Sequence, residues 1–231
     1  MSAARRAIVR LTARRNVENA LLRAGHGCVA GVDEVGRGCL AGPVTAAAVV
    51  LDPARPITGL RDSKLLTAEA RERLYGRIVR YAVAWTVASR SVADIDLLNI
   101  HKASLAAMRD AVMGLATPAD YVLADGFAIP DLPVPQHGLV KGDRRCACIA
   151  AASIIAKVTR DRLMRALDQE DPRYGYARHK GYATAEHLAA IRMHGYSEAH
   201  RRTFRPPTLL DLLIDDATAP DEHPGGADTP G

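Results

Sequence analysis

The sequence predicts an α/β domain with one core. Three observations predict it: apolar strand-like runs alternate with amphipathic helical stretches, two of those runs end at acids, and no linker divides residues 25–205 into separate cores. Taken in order, the Arg-rich start (Arg5, Arg6, Arg10, Arg14, Arg15), continued by residues 16–22, predicts an exposed basic helix, so that 1–25 form a basic N-terminal extension. An organellar presequence is the other reading of that segment. Residues 28–32 predict a strand that ends in acids, and 43–51, rich in Val and Ala, a second and buried one. The stretch 67–81 opens on an N-cap threonine, carries Glu69 in its first turn and spaces Leu74, Ile78 and Tyr81 for a helix. A strand is expected at 84–88 and a long helix over most of 91–115, striped by Leu98, Leu105, Met108 and Val112. A short strand at 121–124 ends at Asp125. Ala-rich 146–167 and then 184–193 read as helices.

Charge is unevenly placed. Of the 231 residues, which carry a net +5, the last 26 hold six acids and no Lys or Arg, leaving the first 205 at +11. A body that basic points to a polyanionic partner, whose phosphates shed counterions on binding; ordinary solubility charge is the alternative. Residues 209–214 predict a short helix, and the Pro-, Gly- and Asp-rich stretch from Ala217 onward a disordered acidic tail. The longest apolar run, Val44–Leu51, is too short to cross a bilayer, so no membrane partner is expected. Four cysteines without C-x-x-C spacing, and no secretory leader, predict reduced thiols in a cytoplasmic protein.

Two acids stand together in Gly31-Val32-Asp33-Glu34-Val35-Gly36-Arg37-Gly38; Asp125 precedes Gly126, and Asp143 follows Lys141-Gly142 just before the Ala-rich helix. Acids ending strands gather at one edge of a sheet, where they repel one another unless a hard cation neutralises them. Oxygen donors suit Mg²⁺ or Mn²⁺. Any one of these acids taken alone is as well read as a turn residue or helix cap. The glycines of Gly36-Arg37-Gly38-Cys39-Leu40-Ala41-Gly42 approach a dinucleotide fingerprint, but the spacing is one residue too long and a strand rather than a helix follows. They are better read as letting backbone approach a ligand, with Arg37 adding charge. Asp161, between Arg160 and Arg162, reads as a solvated or intrahelically paired acid, and Lys157 and Arg160 as reaching phosphates or solvent. His179, His187, His194 and His200 have no closed zinc spacing and read as surface or phosphate-contacting groups. Cys146-Ala147-Cys148 reads as helix packing.

Six blocks follow one another in register: Gly31-Val32-Asp33-Glu34-Val35-Gly36-Arg37-Gly38, Asp62-Ser63-Lys64-Leu65-Leu66, Ala124-Asp125-Gly126, Val140-Lys141-Gly142-Asp143, the run from Ala150 to Arg162, and His179-Lys180-Gly181-Tyr182-Ala183-Thr184. Together they resemble ribonuclease HII, the bacterial type 2 ribonuclease H. The resemblance implies a ribonuclease H-like mixed sheet flanked by helices over residues 26–207, with a small helical C-terminal part. It implies an endonuclease that hydrolyses RNA in RNA–DNA hybrids and cuts 5′ of ribonucleotides embedded in duplex DNA. Two Mg²⁺ or Mn²⁺ ions would assist, leaving 3′-hydroxyl and 5′-phosphate ends, and the enzyme is expected to be a monomer. Residue by residue, it implies metal-binding catalytic roles for Asp33, Glu34, Asp125 and Asp143. It implies sensing of the ribose 2′-OH by Gly36, Arg37 and Gly38, contact of Tyr182 with the adjacent sugar, and placement of Ser63 and Lys64 near the substrate backbone. A non-catalytic hybrid-binding module would be expected to have lost a carboxylate. A two-metal nuclease of another specificity, such as a DNA resolvase, would not need the Gly36–Gly38 loop or Tyr182.

Overall fold

The computed structural model describes residues 13–204. Its elements are α1 (Asn16–Arg23), β1 (Val29–Val35), β2 (Val44–Leu51), α2 (Ala68–Tyr81), β3 (Ala82–Arg90), α3 (Val92–Leu98), α4 (Ile100–Met113), β4 (Tyr121–Asp125), β5 (Gln136–Leu139), α5 (Ala147–Glu170), α6 (Tyr176–His179) and α7 (Ala185–His194). One five-stranded sheet runs in the order β3-β2-β1-β4-β5. The first three strands are antiparallel, and β4 and β5 lie parallel to β1, giving the expected mixed α/β architecture.

Both faces of the sheet are covered. Side chains alternate along a strand, so Ala30 and Val32 join the core beneath α4 while Gly31 faces α5. A Cβ at Gly31 would collide with the Cys148 carbonyl carbon and the Ile149 nitrogen. Glycine there, with the small residues Ala150, Ala151 and Ala152 on the helix, lets α5 lie directly on the sheet. That close seat brings Ser153 down to the strand ends.

Several elements depart from the expectations. The helix expected over 91–115 is two: Asn99, at φ +69°, ends α3, and its side chain accepts from the Lys102 N–H to cap α4. β1 continues past the two acids to Val35. β5 has no counterpart in the sequence pattern, since Gln-His-Gly-Leu has one strongly apolar residue and shows no strand period. Residues 16–23 do form a helix, but not a freely exposed one: Glu18 is buried and accepts from the Cys148 N–H at 2.9 Å, tying α1 to the start of α5. The segment expected to form a short helix at 209–214 and the tail beyond it lie outside the described residues. All four cysteines are free; Cys39, Cys146 and Cys148 are buried and Cys28 is half-buried. Burial pushes the Cys146 thiol up to about 12 and raises those of Cys39 and Cys148. Among the described residues no helix is long and apolar enough to cross a membrane.

Candidate active site

Asp33 and Asp125 sit one residue beyond the paired Val32 and Ala124 of β1 and β4, so the parallel register sets them side by side. Asp143 arrives from the 3-10 turn Gly142–Arg144 that leads into α5. The Gly142 N–H donates to Asp125 Oδ1 at 2.7 Å, fastening that turn to the end of β4. Glu34, on the opposite face of β1 from Asp33, bends toward the loop, and its Oε1 accepts from Arg37 Nη1 at 3.3 Å.

The electrostatics tie the four together. Burial, then the charges of Glu34 and Asp125, hold the Asp33 carboxyl well above the usual carboxylate range, and hydrogen bonds from Ser153 and the Glu34 N–H pull it partly back. Glu34 is raised by burial; Arg37 opposes that shift and Asp125 adds to it. Asp143 is pushed up to about 6 by burial and by Asp62 and Asp125. The Asp125 charge is thus felt by all three of the others. Among the described residues no three His, Cys, Asp or Glu side chains already close on one point as a ready-made cage. Three of the acids are instead drawn to separate donors, Asp33 to the Glu34 N–H, Glu34 to Arg37 and Asp125 to the Gly142 N–H. An all-oxygen donor set in which the charge of Asp125 raises the other three carboxyls is chemically suited to a hard divalent cation.

The remaining expected residues fall around this corner. Gly36 stands at φ +92°, and a Cβ on it would strike the Arg160 side chain. Gly38 is exposed, with open space around its Cα. Ser63 is buried, its hydroxyl 2.9 Å from that of Ser153, which also bonds Asp33; it reaches the site from beneath. Lys64 is exposed and acts on Asp143 by its charge. Tyr182 is 39% exposed, with Lys157 Nζ 6.0 Å from its ring centre. Burial, with the Cys39 thiol that shares its hydrogen bond, raises its phenol.

Other residues lie elsewhere than their spacing in the sequence suggests. Arg160 meets neither phosphate nor solvent: it is fully buried and donates to the carbonyls of Pro43, Ala41 and Lys180 at 2.9–3.0 Å. Arg201, also buried, donates to those of Gly36, Arg37 and Gly42. Its guanidinium is lowered to about 10 by burial. Between them the two arginines hold the loop from β1 to β2 from inside. Asp161 is paired, with Lys157 Nζ at 2.6 Å and Arg71 at 3.7 Å, but it is buried rather than solvated. Of the four histidines only His194 is on the surface; His179, His187 and His200 are buried. Asp62, given no role of its own within its sequence block, accepts from Arg144 Nη2 at 3.1 Å and from the Lys64 N–H at 3.0 Å. For Ser153 a signal existed: it is the one polar residue in the small, apolar run 150–156.

A family model described as ribonuclease HII matches residues 30–206. The chain belongs to the ribonuclease HII family. It is 58% identical over 179 residues to ribonuclease HII of Chromobacterium violaceum, covering 77% of this chain and 90% of that one. It is 56% identical over 189 residues to ribonuclease HII 2 of Methylibium petroleiphilum, covering 82% and 86%. The crystal structure of ribonuclease H2 from Pyrococcus horikoshii superposes with a TM-score of 0.66 at 24% identity, covering 83% of this chain and all of that one, and shows the same fold. As a member of the ribonuclease HII family the protein is a metal-dependent ribonuclease that hydrolyses the RNA strand of RNA–DNA hybrids.

Proposed function

We propose that this ribonuclease cuts 5′ of single ribonucleotides embedded in duplex DNA as well as RNA in hybrids, with Asp33, Glu34, Asp125 and Asp143 holding two divalent cations, Mg²⁺ or Mn²⁺. The observation that carries the reading is the reach of the Asp125 charge to the other three carboxyls from the shared end of β1 and β4. A pair of such cations, when bound, clamps the attacking and leaving oxygens of an in-line displacement, giving 3′-hydroxyl and 5′-phosphate ends. The chain's own residues supply placement. Asp33 and Asp125 are fixed by strand register, Asp143 by the turn tied to Asp125, and Glu34 is steered by Arg37.

The exposed Gly38 and the Arg37 guanidinium offer backbone groups and charge to a ribose 2′-OH, which both donates and accepts. The Tyr182 ring is free to lie on the neighbouring sugar, and Lys64 to meet the backbone. Ser63 would act through Ser153 and Asp33 rather than by touching the strand. Residues 26–207 would form the catalytic domain, with α1 tied to it through Glu18, and act as a monomer in the cytoplasm.

The deciding experiment is cleavage of a DNA duplex carrying one ribonucleotide, with and without Mg²⁺. Metal-dependent incision on the 5′ side of that ribonucleotide is expected, whereas cutting only of long hybrids would remove the specificity. Tyr182→Ala should lower kcat/KM on this duplex about ten- to a hundredfold, the effect of losing a stack worth roughly 1–3 kcal/mol, and Tyr182→Phe less. With the first 205 residues at +11, hybrid affinity should fall steeply from low to physiological salt in a filter-binding titration.

A further inference from the structure

The three buried histidines have no part in the chemistry above, yet each is bonded on both ring nitrogens. Backbone groups of fixed polarity settle which nitrogen carries the proton. Ser197 N–H donates to His200 Nδ1 at 2.9 Å, so His200 is protonated on Nε2. That Nε2 lies 3.1 Å from His187 Nε2, which must therefore accept. His187 then carries its proton on Nδ1 and donates to the Tyr182 carbonyl at 2.9 Å. On the other side of the loop, Gly181 N–H donates to His179 Nδ1 at 3.1 Å and His179 Nε2–H to the Tyr174 carbonyl at 2.7 Å. The rings of His179 and His187 stack 4.2 Å apart. The result is a one-way chain from Ser197 through His200 and His187 to the backbone of Tyr182. Burial lowers both His187 and His200 to about 4, so the chain stays neutral at working pH.

What the chain holds is a strained loop. Lys180, a non-glycine, stands at φ +54°, and its carbonyl is held by Arg160. Tyr182 N–H donates to the His179 carbonyl at 3.0 Å, and the Tyr182 carbonyl accepts from Thr184 N–H as well as from His187. The Tyr182 carbonyl is therefore pinned to the His187 imidazole, its N–H to the His179 carbonyl, and the Gly181 N–H before it to the His179 ring.

We infer that His187 and His200, bonded in series, are positioning residues that set the Tyr182 backbone and so aim its ring at the substrate sugar. This rests on the reading that Tyr182 contacts substrate. The test is steady-state cleavage of the single-ribonucleotide duplex by Tyr182→Ala, His187→Phe, His187→Asn and the double variant Tyr182→Ala/His187→Phe, each with an Mg²⁺ titration. His187→Phe keeps a ring but loses the donor, and should lower kcat/KM about tenfold with the Mg²⁺ dependence unchanged. His187→Asn, whose amide N–H can replace Nδ1–H, should recover most of that loss. The double variant should be no worse than Tyr182→Ala alone. Additive losses, or an Asn variant as poor as the Phe one, would overturn the inference while leaving the Tyr182 contact standing. Wild-type activity of Tyr182→Ala would instead remove the contact reading and the inference with it. If His187→Phe does not fold, His200→Gln, which keeps a donor near the Nε2 position, should retain near-wild-type kcat/KM, and a large loss there would overturn the inference. Long-range ¹H–¹⁵N correlation of the wild-type protein at pH 7 should show neutral rings, with the proton on Nδ1 in His187 and on Nε2 in His200; the reverse pattern would also overturn it.

Discussion

Two buried polar regions share the loop between β1 and β2. On one side, Asp33, Glu34 and Asp143 are raised by burial and by the charge of Asp125, with only partial relief from Arg37, Ser153 and Lys64. On the other, Arg160, Arg201 and the three histidines are as deeply buried, yet donate into fixed carbonyls or into each other. Like charges gathered without balance cost stability and are retained for what they can bind. Donors matched to carbonyls cost little and fix geometry. On the proposed reading the first region does the chemistry, and the second holds the parts that present substrate to it.

Substitutions on the two sides should therefore have opposite signatures. The largest effect is expected from Asp33→Asn or Asp125→Asn, which should cut turnover at least about a thousandfold, about 4 kcal/mol of lost transition-state stabilisation, while leaving hybrid binding largely intact. For Asp33→Asn the thermal midpoint should hold or rise. Single-turnover cleavage, binding and melting of the same samples check this, and a variant that melts early would break the contrast. On the other side, Arg201→Met or Arg160→Met leaves three buried carbonyls without their donor. Each should destabilise the fold by about 3–5 kcal/mol in denaturant titration, with activity lost through the displaced loop. A stable but inactive Arg201→Met would place that arginine in the chemistry instead.

The smallest effect concerns pH. The Asp143 carboxyl titrates at about 6 in the fold and lower in the unfolded chain, so the folded state binds more protons between those values. The Asp143 contribution to the stability of the metal-free protein should fall as pH rises from about 4 through about 6, and the raised carboxyls of Asp33 and Glu34 add losses of the same sign. Asp143→Asn should flatten that fall. Adding Mg²⁺ should raise the midpoint by a few degrees (~2–4 °C) at pH 7.5, and by less at pH 5. Equal metal effects at both values would mean these carboxyls are not what the ion meets.

The sequence is informative about the first region and nearly silent about the second. Asp33 and Asp125 end apolar runs, a local signal that needs no knowledge of the fold. Thr67 and Ser91 likewise announce their helices, and the side-chain oxygens of both accept from the N–H three residues on. Asn99 breaks a helix whose apolar stripe reads as continuous, because a left-handed residue leaves no trace in periodicity. Arg160, Arg201, His187 and His200 stand at spacings that suit a polar surface. What turns Arg160 and Arg201 inward is a set of carbonyls as far as 119 and 165 residues away in the chain. Burial of a cation by distant backbone is a tertiary property, and no window of the sequence contains it.

The cysteines have a practical consequence. Three thiols are buried and hard to ionise, whereas Cys28 lies half-open just before β1. A maleimide dye should therefore attach at one place in the unmutated chain. That place is five residues, roughly 17 Å of extended strand, from Asp33. The wild-type enzyme thus comes with its own fluorescence handle at the far end of the strand that carries Asp33, close enough for energy transfer from a labelled duplex to report each encounter.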